Sequence, residues 1–329
     1  MKGIRYILSL LTLCVAVVSC ERGDSLSDVV QESGRPIEFS VESDWPEITK
    51  ALISNSDDIK GVGFKVWGVK SSDSDGSNSE SVFGEDGASV SFTDGKWKSD
   101  VVKDWEGGYY SFASILHPAK FEGTYSNNTL SIDLGDNGYN LAVNQDDFMV
   151  AFQNVDNSGC NASVVDLDFK HLFAKIDVVL KTSNNIPFES QGIAVTKVLM
   201  YGIHRSINGN LQIQQNVTYD NEGIKTSEAL LTNIANCFNV SSVSTDVTPY
   251  YKKEYTAGEG FNYNGLSIIV IDDLLVFPET FSENQVLYIV VELFNQGKSK
   301  EISARISSGQ WLPGESNTYL LQVDPSIFN

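Results

Sequence analysis

Residues 37–41 read Ile37-Glu38-Phe39-Ser40-Val41, with an apolar side chain at every second position. Successive side chains of an extended chain point to opposite faces, so this stretch predicts a half-buried β-strand with one greasy and one wet face. The same period of two recurs outward along the chain, at Phe64/Val66, Val90/Phe92, Tyr110/Phe112 and Leu130/Ile132/Leu134. It continues through Leu167/Phe169, Ile176/Val178, Leu211/Ile213, Val217/Tyr219, Ile302/Ala304/Ile306 and Tyr319/Leu321/Val323. Three runs are more continuously apolar, Phe148–Phe152, Leu266–Phe277 and Val286–Phe294, and predict central strands covered on both faces. Gly, Asn, Asp and Ser clusters, such as residues 135–138 and 208–210, separate the runs. About fourteen strands with turn signals between them predict an all-β fold of two β-sandwiches rather than one large barrel.

One stretch departs from this period. In Ser227–Val240 the apolar residues Leu230, Ile234, Cys237 and Phe238 recur at helical spacing, which predicts one short helix capped by Thr226 or Ser227. The polar run Asp156–Ser163 is the expected break between an N-terminal sandwich, residues 36–160, and a C-terminal one, residues 161–329.

The N-terminus is an address. Lys2 and Arg5 precede a largely apolar stretch from Tyr6 to Ser19, too short to span a bilayer and built like a secretory signal. It ends Val17-Val18-Ser19-Cys20, similar to a bacterial lipobox. Residues 1–19 are then the lipoprotein signal peptide, and Cys20 carries a thioether-linked diacylglycerol and an acylated amine. More than one acyl chain supplies the two signals that stable anchoring requires. An ordinary cleaved signal with an incidental cysteine is the alternative. Residues 20–35, polar and without periodicity, read as a flexible tether.

Composition removes several classes. The chain of 329 residues has a net charge of −20, and loss of the signal peptide takes two basic residues and leaves −22. A surface so acidic does not suit a nucleic-acid partner. The three histidines are scattered, and nucleophile-elbow, phosphate-loop, zinc-protease and dinucleotide fingerprints are absent from the sequence. No catalytic residue, metal site or cofactor is therefore expected, and the chain does not read as an enzyme. The acidic loop from Asp73 to Glu80 lacks the spacing of a calcium loop and reads as a solvated hairpin. Asp146-Asp147 and Asp272-Asp273 are neighbours on strands and should diverge to opposite faces. His171 reads as a strand-end hydrogen bonder. Cys160 and Cys237 are read as buried thiols, with a disulfide between them left open. Trp97 and Trp105 flank polar loops and could stack sugars, which sets a glycan-binding lipoprotein of a nutrient-uptake system as the alternative function.

Several segments, in order, resemble the fimbrillin family, the lipoprotein fimbrial subunits (type V pilus) of Bacteroidales. They are the lipobox with its tether and Ile37-Glu38-Phe39, then Thr49-Lys50-Ala51, Phe64-Lys65-Val66-Trp67 and Tyr110-Ser111-Phe112-Ala113 with Pro118. Asp147-Phe148-Met149-Val150-Ala151 follows, then Phe169 to Ile176, and finally Trp311-Leu312-Pro313-Gly314 leading to Tyr319-Leu320-Leu321-Gln322-Val323. The resemblance implies two tandem transthyretin-like Greek-key sandwiches and a surface-exposed outer-membrane lipoprotein working in adhesion or fibre assembly. It further implies partners that are other fimbrial subunits, joined by strand exchange once proteolysis removes the first strand. Ile37, Phe39 and Val41 are then the plug residues, and the segment holding Tyr319, Leu321 and Val323 the donor or contact strand. The sequence departs from the family at the processing site. No arginine lies between Arg35 and Arg205, and Arg35 precedes Pro36, which makes Lys50-Ala51 the nearest basic site. A stalk subunit, an anchor and a tip all stay open.

Overall fold

A computed structural model describes residues 34–42, 56–74, 76, 78–117, 119, 121–136, 138–207, 210–220, 223–231, 248–255, 265–281, 287–306 and 308–329. The strands up to residue 171 are β1 (Glu38–Glu42), β2 (Phe64–Ser71), β3 (Glu80–Ser81), β4 (Ala88–Thr93), β5 (Lys96–Ser99) and β6 (Tyr109–Leu116). They continue with β7 (Glu122–Ser126), β8 (Thr129–Asp133), β9 (Tyr139–Asn140), β10 (Met149–Asp156), β11 (Val164–Asp168) and β12 (Lys170–His171). Beyond it come β13 (Ala174–Thr182), β14 (Ala194–Tyr201), β15 (Ser206–Ile207), β16 (Asn210–Asp220), β17 (Gly223–Leu231) and β18 (Tyr251–Glu254). The last are β19 (Ser267–Val276), β20 (Glu279–Phe281), β21 (Leu287–Asn295), β22 (Lys298–Ile306), β23 (Gly309–Trp311) and β24 (Ser316–Val323).

The largest sheet runs β11-β1-β5-β4-β2-β6-β10-β12, with β3 paired to β2. One face of this sheet supplies a single core: Ile37 and Phe39 of β1, Phe64 and Val66 of β2, Val90 of β4, Phe112 of β6, Met149 of β10, and Val165 and Leu167 of β11. Residues from both ends of the strand order meet in that core, so the sheet curls around it. Its middle strands are covered on the other face too. Trp67, Ala113, Ile115 and Val150 point away from the first core into a second, built with Leu130 and Ile132 of β8, Leu211 and Ile213 of β16, and Phe173. That is why Phe148–Phe152 lacks a polar alternate: Phe148, Met149, Val150 and Ala151 are all buried. Sheet β17-β16-β8-β7 forms the outer layer over this second core.

The C-terminal half has a third core between sheets β19-β13-β24 and β18-β14-β21-β22. Ile176, Val178 and Leu180 alternate inward from β13, Val198 and Met200 from β14, and Ile289, Val291 and Leu293 from β21. Trp311 closes one end against Phe281, with ring centroids 4.9 Å apart. Leu266–Phe277 is two-sided only toward its end, since Ile269 is 54% exposed while Leu274 to Phe277 are buried. Arg35–Asn329 forms one compact unit.

The all-β fold agrees with the sequence, and one detail does not. Ser227–Leu231, expected to begin a helix, continues β17, which pairs antiparallel with β16; residues 232–240 lie outside those described. The α-helix among the described residues is α1 (Ser56–Val62), with Asp57 and Asp58 in its first turn and Lys60 in its last, matching the helix dipole. β11 pairs with β1 and β12 with β10, so the first sheet reaches His171.

His117 is buried with its ring stacked on Phe148 at 4.2 Å, and Ala119 N–H donates to its Nδ1 at 3.0 Å. Burial pushes the imidazole below its ordinary value. The unfolded chain therefore binds the proton more readily, and stability falls as pH drops through the unfolded value of about 6.5. In urea titrations His117→Phe should lose less stability than the native chain between about pH 7 and 5. Phe112→Ala, which empties the centre of the first core, should lower the unfolding free energy by about 3–5 kcal/mol, read from the same titrations.

Candidate functional site

The segment Ile37-Glu38-Phe39-Ser40-Val41 fills a slot in the large sheet. β1 runs parallel to β11 over five residue pairs, Glu38 opposite Val164 through Glu42 opposite Asp168. On its other side it meets β5 antiparallel at one pair, Phe39 opposite Trp97. Ahead of the strand, Ile37 N–H donates to Lys103 O at 2.7 Å, and Trp105 N–H donates to Arg35 O at 2.8 Å. β1 is thus stitched along its whole length on the β11 side and sparsely on the other.

Side chains follow the alternation. Ile37 and Phe39 are each 6% exposed, Val41 is half-buried on the same core, and Glu38 stands in solvent. The Phe39 ring sits 6.0 Å from Phe64, 6.1 Å from Phe83 and 6.2 Å from Phe112, edge-on to the first and last. Two polar contacts fasten the rim: the Ser40 hydroxyl donates to the Asp166 carboxylate opposite it, and the Arg35 guanidinium donates to the Cys160 carbonyl. Withdrawal of β1 would uncover the β11 backbone groups and a furrow lined by Phe64, Phe112, Val165 and Leu167. Such an arrangement binds an extended chain through its backbone and selects it by alternate side chains.

β24, which carries Tyr319, Leu321 and Val323, pairs parallel to β13 and forms the edge of its three-stranded sheet. Val323 is buried, Tyr319 and Leu321 are half-buried, and Leu320 on the other face is 62% exposed. The Trp311 indole N–H donates to the Tyr319 hydroxyl at 2.9 Å. Cys20, Lys50 and Ala51 lie outside the described residues, as do Trp45 and Cys237.

The sugar platform does not materialise. Trp105 is buried, with its N–H donating to Ser163 O at 3.3 Å and its ring edge-on to Tyr110 at 4.9 Å. Trp97 lies half-buried, its ring 5.2 Å from both Phe64 and Phe92. Both tryptophans pack on the first core, Trp105 within it and Trp97 against it. Cys160 is exposed and not buried. His171 and Asp147 form a buried pair, Nδ1 to Oδ2 at 2.6 Å, and Asp147 also accepts from Phe173 N–H at 3.3 Å. Burial pushes the Asp147 carboxyl up, against the pull of His171.

Sequence reading missed two parts of this region. Val165 and Leu167 were assigned beyond the domain break, yet they form the floor beside β1. Asp272 and Asp273 were expected to diverge. A register shift between β13 and β19 places their carboxylates and that of Asp177 within 4.8 Å of one another.

Comparison with known proteins adds the following. The profile described as fimbrillin-like matches residues 49–328. Solved structures similar to this chain include a fimbrial protein from Bacteroides vulgatus, at 14% identity over 89% of this chain and 96% of that one, TM-score 0.47. A cell adhesion protein from Bacteroides ovatus shares 14% identity over 89% of this chain and 93% of that one, TM-score 0.47. Another from Bacteroides eggerthii shares 12% identity over 88% and 86%, TM-score 0.48. Nothing matches among curated proteins. The match across residues 49–328 identifies the chain as a member of the fimbrillin-like family.

Proposed function

We propose that the protein is a lipid-anchored precursor of a fimbrial structural subunit, held at the outer surface through Cys20 and assembled by strand exchange after β1 is removed. One observation carries the reading: β1 lies parallel to β11 with Ile37 and Phe39 in the core and Glu38 exposed on its other face. Among the described residues Glu38 stands in solvent, which leaves the outer face of the ribbon open for its departure. The single pair with β5 leaves few bonds to break on that side. The occupant that replaces it has to be an extended segment with apolar side chains at the Ile37, Phe39 and Val41 positions. Tyr319, Leu321 and Val323 have that spacing, and they belong to an edge strand close to the C-terminus. Lys50-Ala51 is the processing site on this reading, and the chain divides into N- and C-terminal sandwiches that polymerise head to tail. The role is mechanical and adhesive, without catalysis.

Two measurements follow. Mass spectrometry of the cell-surface form should find an N-terminus beyond Glu42, and unboiled gels should show a ladder of multiples. A surface protein that always begins at acylated Cys20, with no ladder, contradicts the proposal. Phe39→Ala should cost the precursor about 3–5 kcal/mol, as for other buried phenylalanines. Yet it should leave the processed form's stability unchanged, because processing discards the residue. An equal loss in both forms means that β1 stays in place.

A further inference from the structure

On β13 the side chains of Ile176, Val178 and Leu180 enter the C-terminal core, so Lys175 and Asp177 lie on the opposite face. Lys175 is nevertheless 5% exposed. It lines a small pocket with Asp147, His171, Phe173, Leu275 and Glu315, where the end of β12, the start of β13 and the turn before β24 converge. Its Nζ is in direct contact with the Asp273 Oδ1 of the adjacent strand. The Asp273 side chain is 11% exposed, and its Oδ2 is buried without a hydrogen-bond partner.

Backbone geometry holds the pair together. Asp273 has a φ of 56°, in the left-handed region, at the register shift where β19 bulges against β13. Its N–H donates to Asp177 Oδ1 at 2.8 Å. A non-glycine residue in this conformation inside a strand is strained, and such strain gathers at sites that use it. The carboxylates of Asp177 and Asp272 lie within 4.8 Å of that of Asp273, ready to carry protons. A buried amine, a carboxyl in contact with it and a neighbouring acid are the components of an intramolecular condensation.

We propose that Lys175 and Asp273 are joined by an isopeptide bond that the folded chain forms on itself. The ammonium passes a proton to Asp177, and the freed amine attacks Cγ of Asp273. The Nζ–Cγ bond forms, one Cγ–O bond breaks, and the oxygen leaves as water after receiving two protons that began on the ammonium. No oxidant or reductant takes part, and Asp177 ends as it started. The product replaces a buried ion pair, whose desolvation is costly, with a neutral amide, and removes an oxygen from the carboxyl whose Oδ2 was buried without a partner. It cross-links β13 to β19, two strands otherwise held by backbone pairing and their shared core.

Tryptic peptide mapping of the full chain under denaturing conditions decides the matter. An isopeptide blocks cleavage after Lys175, so residues 171–181 and 254–298 should appear as one branched species, lighter than the two peptides by one water. Recovery of free 171–175 and a separate 254–298 overturns the proposal. The double variant Asp177→Asn, Asp272→Asn should yield the separate peptides. A branched species persisting there overturns the assignment of those acids as proton carriers.

Discussion

The parallel pairing of β1 with β11 is the constraint on which the first half of the molecule depends. β11 follows β10 in the chain, and β10 belongs to the opposite end of the strand order. Without β1, nothing joins β11 to β5, and the core holding Phe64, Phe112, Val165 and Leu167 has a gap where Ile37 and Phe39 stand. Parallel strands bring no tight turn between them. A terminal segment that arrives from outside and lies down between existing strands meets that condition, whether it comes from the same chain or another.

The interior explains how such a gap could be tolerated. β2, β6 and β10 are buried on both faces, with Phe112 and Met149 on one side and Trp67, Ile115 and Val150 on the other. Among the described residues, no side chain of β1 belongs to the second core. Each buried large apolar side chain contributes on the order of 1.5–3 kcal/mol. The layer shared with β8 and β16 therefore holds the central strands from the face away from β1. Function on this account resides in backbone groups and apolar furrows, which suits an acidic chain whose sequence has no nucleophile-elbow, phosphate-loop or dinucleotide fingerprint.

Much of this was legible in the sequence. Alternation at Ile37/Phe39/Val41, Tyr110/Phe112 and Ile176/Val178 reports which face is buried, because a strand's side chains sample one environment per face. The unbroken run Phe148–Phe152 likewise reported a strand between two cores. What failed shares a cause: contacts decided far along the chain. Leu230, Ile234, Cys237 and Phe238 carry a helical period, but the long strand β16 offers residues 223–231 a backbone partner, and pairing overrides local preference. Helix Ser56–Val62 is too short for a period to register. Trp105 sits beside polar residues in sequence and inside the core in space. The bulge that gathers Asp177, Asp272 and Asp273 depends on a register shift between strands nearly a hundred residues apart, which no local pattern encodes.

Hydrogen exchange of the intact precursor, followed peptide by peptide, tests most directly whether β1 is a separable ribbon. The account predicts that amides of Glu38–Glu42 and Val164–Asp168 exchange through a partial opening, while those of Phe64–Ser71 and Tyr109–Leu116 stay protected until global unfolding. Exchange of all four segments at a single rate, through one global opening, would show that β1 leaves only when the whole sandwich comes apart.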